Sequence, residues 1–219
     1  MAGAGADTLE DLYRAFPALV GRAPTATERD AFERYADLLI RWNRIHHLTA
    51  LRTRRDIGRG LFLDSLLFRA LVPPGPVRVV DIGAGSGIPG VPLRIVEPNV
   101  ALTLIESRRK PVSFLHALLR ELSLTDVTVR HGRAEDLVRN TPELLGIFDV
   151  VLTRAVGLSR VVIEGALAYL KPSGVLIAAG PPPGVPRPRI EWDGILEWKD
   201  IDFSAIGVRR TFLICTRAS

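Results

Sequence analysis

One short stretch constrains this chain more than any other: VRVVDIGAGSGIPG, residues 77–90. A β-branched run that stops at an acid and breaks into alternating glycines reads as a buried strand feeding a loop. Such a loop brings bare backbone close to a ligand at the carboxyl end of a sheet. Everything downstream repeats the strand half of that pattern. ALTLIE (101–106), VTVRHG (127–132) and FDVVLTRA (148–155) are further apolar runs, and VLIAAG follows a turn over Lys171-Pro172-Ser173-Gly174. Helices are expected over 108–123, from about 134, and over 158–170. The segments ILEWKDIDF and VRRTFLICT read as two terminal strands forming a hairpin-like pair.

Strands alternating with helices imply right-handed crossovers and a parallel sheet covered on both faces. The expected fold is therefore α/β: a doubly wound, mostly parallel, seven-stranded sheet. Ahead of it the periodicity predicts helices over 8–22, 27–48 and 60–72, the last stopped by Pro73-Pro74-Gly75. In the second, Phe32, Tyr35, Leu38, Leu39 and Trp42 share one face, with Thr27 as the expected N-cap. A length of 219 residues leaves room for one such sheet and an extension. The expected organisation is a helical extension over 1–75 and a sheet domain over 76–219, folded as one compact unit and acting as a monomer. No run of about 18 apolar residues occurs, so no membrane partner is expected. The N-terminal residues do not read as a secretory signal, and Cys215 is the only cysteine, which suits a cytoplasmic location.

Two cofactor classes use a glycine loop of this kind. Gly85, Gly87 and Gly90 fit the dinucleotide spacing, which leaves a nicotinamide cofactor open. Three residues favour S-adenosylmethionine instead. Asp81 at the strand end would repel a pyrophosphate but accepts from an amino group. Pro89 falls where a dinucleotide-binding helix would already be running. Glu106 ends the second strand, where a carboxylate accepts both ribose hydroxyls. Cys215, in an apolar run, reads as core. His116 and His131 lack partners at metal-ligand spacing, so no metal is expected.

Together these residues resemble the RsmG family, also called GidB. The resemblance rests on Trp42-Asn43, Leu48-Thr49-Ala50 and Phe62-Leu63-Asp64-Ser65-Leu66, on the loop from Asp81 to Gly90 continued by Pro92-Leu93, and on Arg133-Ala134-Glu135 and Thr153-Arg154-Ala155. It spans roughly residues 30–180, and Arg210 with the apolar run after it is similar to the family's last strand. The resemblance implies a class I (Rossmann-like) methyltransferase that transfers a methyl group from S-adenosylmethionine to N7 of a guanine in 16S ribosomal RNA, as naked RNA or within the 30S subunit. It implies a cofactor site at Asp81, Gly83, Gly85, Gly87, Ile88, Glu106, Ala134, Glu135 and Arg154, with Arg154 also the catalytic residue at the active-site mouth.

The chain departs from the family pattern at three places. Gly60 and Leu61 stand where a basic residue and a histidine are usual, His47 where an asparagine is usual, and Ala179 where a lysine is usual. These departures keep two alternatives in play: a methyltransferase of another acceptor, and a non-catalytic ribosomal RNA-binding or assembly protein that retains the pocket. The net charge of +5 and isoelectric point near 10.0 favour a polyanionic partner. Arg52, Arg54, Arg55 and Arg59, read as a basic loop, are the expected grip on RNA phosphates, and Trp192 is a candidate for stacking on a base.

Overall fold

The structure, a computed structural model, describes residues 7–154, 159–182, 184–190 and 194–216. Seven strands form one sheet: β1 (Val77–Ile82), β2 (Val100–Glu106), β3 (Val127–His131), β4 (Phe148–Thr153), β5 (Leu170–Ala179), β6 (Ile195–Phe203) and β7 (Val208–Thr216). Their spatial order is β3-β2-β1-β4-β5-β7-β6. β1 to β5 pair in parallel, while β7 pairs antiparallel with both β5 and β6. The expected doubly wound sheet with a terminal hairpin is thus present.

Alternating side chains along each strand divide the core in two. Val79, Leu102, Leu104, Val150 and Leu152 point to one face. Val80, Ile105, Val151, Leu176 and Cys215 point to the other, against α7 (Ala134–Asn140) and α8 (Arg160–Leu167). Burial pushes the Cys215 thiol up to about 11.

The first face carries α5 (Gly90–Val96), α6 (Arg109–Glu121) and the whole N-terminal extension. That extension comprises α1 (Glu10–Val20), α2 (Ala26–His46), α3 (Arg54–Ile57), a π-helical turn over Gly58–Leu63, α4 (Asp64–Leu66) and a 3₁₀ segment over Leu67–Leu71. Phe16, Phe32, Tyr35, Phe62 and Phe68 are fully buried in the same cluster as the sheet residues, so the extension shares the sheet's core. Burying aromatic rings of this size contributes about 2–3 kcal/mol each before entropy is counted.

Several boundaries differ from the sequence reading. The cap of α2 is Thr25, not Thr27. Its hydroxyl accepts from the Glu28 amide at 3.2 Å while the Glu28 carboxylate accepts from the Thr25 amide at 2.7 Å, a reciprocal box. The third helical segment begins at Arg54 because Thr53 caps it, accepting from the Asp56 amide at 3.1 Å. Lys171-Pro172-Ser173-Gly174 is not a turn before β5 but a bulge within it. Leu170 pairs with Phe148 and Val175 with Val150, so these four residues face Asp149 alone. Lys171 Nζ donates to Asp149 Oδ1 at 2.7 Å and anchors the bulge.

Candidate functional site

The chain leaves β1 toward β2 and later returns to β1's other side as β4, which opens a crevice at the carboxyl ends of these strands. The glycine loop lies in that crevice, and its amides are almost all used inside the protein. Gly83 and Ala84 donate to the Ile105 carbonyl at 2.9 and 3.0 Å, and Gly87 and Ile88 donate to the Ala84 carbonyl at 2.7 and 3.0 Å. Gly85 donates to Glu106 Oε2 at 2.9 Å and Gly90 to Asp81 Oδ2 at 2.8 Å. A pyrophosphate cradle needs such N–H groups free and aimed at the ligand. Here they are spent, and a carboxylate faces the loop instead.

Two cavities adjoin in the crevice. The inner one, about 360 Å³, is lined by Gly83, Ala84, Gly85, Ser86, Ile88, Glu106, Ser107 and Arg108 on the sheet side, and by Leu48, Thr49, Leu61 and Arg154 on the other. Glu106 is buried at the cavity wall. Besides Gly85, it accepts from the Arg108 backbone amide at 2.8 Å and lies 3.3 Å from Arg108 Nε. The outer cavity, about 650 Å³, shares Thr49, Leu61 and Arg154 with the inner one and adds Leu51, Gly60, Ala179, Gly180, Pro181, Pro188 and Arg210. Its walls are small or apolar apart from two arginines. Arg154 Nη2 donates to the Gly60 carbonyl at 2.9 Å, its Nε lies 2.9 Å from Asp64 Oδ2, and Arg210 Nε lies 3.5 Å from Asp64 Oδ1. One half-buried carboxylate thus holds both cations at the mouth.

Gly83, Gly85, Ile88, Glu106 and Arg154 are brought together as the sequence suggested. Other expected residues are placed elsewhere. Asp81 is fully buried beneath the loop rather than on the cavity wall. It pins Gly90, its Oδ1 has no hydrogen-bond partner among the described residues, and burial pushes its carboxyl up to about 7, with Glu106 adding and the Gly90 amide and Arg154 opposing. Gly87 faces the core: a Cβ there would lie 2.8 Å from the Tyr35 hydroxyl and 2.9 Å from Val91 Cγ2. Tyr35 in turn donates to the Ser86 carbonyl. Ala134 and Glu135 line neither cavity. The Ala134 carbonyl accepts from the Tyr169 hydroxyl at 2.7 Å, and Glu135 is exposed beside it.

The segment that carries the four arginines is not the expected loop beyond Thr53. Because the segment from Arg54 is helical and packs on α1 and α2, Arg54 pairs with Asp37, and Arg55 and Arg59 both pair with Asp11, at 3.2 and 3.4 Å. Of the four, only Arg52 lacks an ion pair among the described residues. Ala155 and Trp192 lie outside the described residues. Among those described, no group of three or more histidines, cysteines or acids is placed to hold a metal, and no helix is long and apolar enough to cross a membrane.

Sequence reasoning gave no role to Asn43. It is buried near the end of α2, where Oδ1 accepts from the Thr49 amide at 2.9 Å and Nδ2 donates to the Leu51 carbonyl at 3.0 Å. It thereby presses the 48–51 loop against both cavities. The available signal was His47, a C-cap at φ 50°, which turns the chain back toward Asn43.

Comparison with known proteins matches residues 28–180 to the GidB family model, described as rRNA small subunit methyltransferase G. The protein named ribosomal RNA small subunit methyltransferase G from Lactococcus lactis subsp. lactis is 39% identical over 149 residues, covering 67% of this chain and 62% of the relative. The protein of the same name from Streptococcus equi subsp. zooepidemicus (strain H70) is 39% identical over 160 residues, covering 72% of this chain and 67% of the relative. The chain therefore aligns with under two thirds of the Lactococcus relative's length. Two solved structures share the fold. A putative methyltransferase, yhhF, from Escherichia coli has a TM-score of 0.51 at 19% identity over 71% of this chain and 84% of its own. The fibrillarin/Nop5p complex has a TM-score of 0.52 at 13% identity over 77% of this chain and 87% of its own.

Proposed function

Since the chain belongs to the GidB family, rRNA small subunit methyltransferase G, we propose that it transfers a methyl group from S-adenosylmethionine to N7 of a guanine in 16S ribosomal RNA. The observation that carries the donor assignment is the glycine loop, whose amides are consumed internally while Glu106 looks into the inner cavity. That arrangement disfavours a phosphate-bearing cofactor and suits a ribose diol beside a cationic centre.

In this reading Glu106 accepts from the ribose hydroxyls, and Gly83, Gly85 and Ile88 give the close backbone approach. Asp81 supports the loop from below, accepting from the Gly90 amide. The bound donor supplies an electrophilic methyl on a sulfonium. Guanine N7 carries an in-plane lone pair and no proton, so the residues need supply no general base; they must orient the ring and exclude water. Arg154 borders both cavities. With Gly60 and Asp64 fixing it, the guanidinium has further N–H donors for the O6 of a base held in the outer cavity. A monomer acting in the cytoplasm completes this reading. Leu48, Thr49, Leu51, Gly60 and Leu61 of the helical extension serve as one side of the site, so the extension is part of the same unit.

A second reading has its own support. Gly60, Leu61 and Ala179, three of the four residues that depart from the family pattern, line the outer cavity, which favours an acceptor other than the family's guanine.

Labelled S-adenosylmethionine incubated with 30S subunits lacking N7-methylguanine, followed by mapping of the modified base, tests both. Label at one guanine of 16S RNA is expected. Tight cofactor binding with no label on subunits or naked RNA would remove this reading and favour the second.

A further inference from the structure

We infer that a rim of unpaired cations around the inner cavity is where the phosphates of an RNA strand dock. This rests on the RNA-methyltransferase reading and moves its RNA contact away from Arg54, Arg55 and Arg59.

The ion pairs are unevenly distributed. On the flank of the extension Arg22 is tied to Glu28, Arg34 to Glu121, Arg54 to Asp37, Arg55 and Arg59 to Asp11, and Arg69 to Glu97, while Arg14, Arg29 and Arg41 stand singly without an ionic partner among the described residues. At the rim, Arg44, Arg52, Arg109, Lys110, Arg130 and Arg133 are exposed and have no ionic partner among the described residues.

Their positions converge on the cavity from two sides. Arg44 lies in the last turn of α2, and Arg52 follows the 48–51 loop that walls both cavities. Arg109 and Lys110 open α6 directly after Ser107 and Arg108, which line the inner cavity. Arg130 and His131 end β3, in register with Ile105 and Glu106, with His131 Nε2 3.1 Å from the Ser107 carbonyl; Arg133 caps α7. The Trp42 ring meets the Phe114 ring edge-on at 5.7 Å, which holds the end of α2 against the first half of α6.

The fold gains little from these charges. The first turn of α6 contains no acid, so Arg109 and Lys110 oppose the helix dipole. Cations kept in water around a concavity concentrate a positive field there and draw in a polyanion. Of the acids nearest in sequence, Glu106 is buried at the cavity wall and held by Gly85 and Arg108, while Glu135 and Asp136 follow Arg133 in α7, with Glu135 against Tyr169. Ile45 is the one large apolar side chain exposed among these residues, too little for a helix lying in a lipid surface.

The test is binding of in vitro transcribed 16S ribosomal RNA across a salt series. It compares the parent with Arg44→Gln/Arg52→Gln, with Arg109→Gln/Arg130→Gln, and with Arg14→Gln/Arg120→Gln, the last pair unpaired but remote from the cavities. Each rim pair is expected to raise Kd about tenfold and to flatten the slope of log K against log salt by about 1.5–2, and the remote pair to stay within about twofold of the parent. Rim variants that bind as the parent does would overturn the inference. So would equal losses in all three pairs, or a parent that binds phosphatidylserine vesicles but not RNA. Methyl transfer to 30S subunits is read in the same preparations. A parent that binds RNA through the rim without methylating it removes the function reading alone. Methylation with an indifferent rim removes the rim alone.

Discussion

The two adjoining cavities are built in opposite ways. The inner one is shaped by backbone: one loop from Gly83 to Gly90 folds onto the ends of β1 and β2, and its amides close on Ile105, Ala84, Glu106 and Asp81. The outer one is assembled from residues of six separate segments, held by a single carboxylate between two arginines. A backbone-locked site tolerates change at its rim and fails when its glycines change. A side-chain-assembled site keeps its fold but loses alignment when one partner is altered.

That contrast can be broken at four points. Gly87→Ala forces a side chain into a left-handed residue (φ 87°) against Tyr35 and Val91. We expect a loss of about 3 kcal/mol, seen as a melting temperature lower by about 10 °C; a drop of under about 2 °C would mean that the loop is less tightly locked than its hydrogen bonds imply. Asp64→Asn should leave the fold and cofactor affinity within about threefold of the parent while kcat falls about 30- to 100-fold, since Arg154 and Arg210 lose their common anchor. Parallel losses in cofactor affinity, measured by calorimetry, would show that the two cavities act as one.

Asp81 gives a pH signature to the backbone-locked region. Its folded pKa of about 7 lies above the ordinary 3.8, so between these values the folded state holds the extra proton. The stabilisation is complete below about pH 4 and is lost as pH rises through about 7. Denaturant titrations should show the parent losing about 2 kcal/mol between pH 5 and 6.5 relative to Asp81→Asn, which has no such proton to release. Parallel curves for the two proteins would place the carboxyl's pKa near its ordinary value. The smallest effect is expected at Arg55→Gln/Arg59→Gln: exposed pairs with Asp11 are each worth under about 1 kcal/mol, and RNA affinity should change less than about twofold. A large loss of affinity there would restore the original grip on RNA.

The difference between the cavities also explains what could be read in advance. The strands, the glycine loop and the Glu106 position follow from local patterns, because hydrophobic period and glycine spacing act over a few residues. The outer cavity brings together Thr49, Gly60, Arg154, Ala179 and Arg210, and no local rule links those positions. The ion pairs of Arg54, Arg55 and Arg59 were hidden for a related reason. Arginines between two helices read as a solvated loop until packing shows Asp11 and Asp37 waiting on neighbouring helices. Gly87 misled in the other direction, since its place in the motif suggested a ligand contact where the structure uses it to admit Tyr35.

Strand order carries a consequence for how the site comes into being during synthesis. Every wall of the inner cavity lies at or before Arg154, whereas the outer cavity waits for Arg210 on β7. A chain emerging from its N-terminus therefore has every wall of the inner cavity before it has those of the outer one. Until β7 arrives, Leu176, Ile177 and Ala178 of β5 form an open apolar edge. The strand that shields this edge from unwanted pairing is the same one that brings Arg210 to the outer cavity, so edge protection and the last wall of the cavity arrive in a single step.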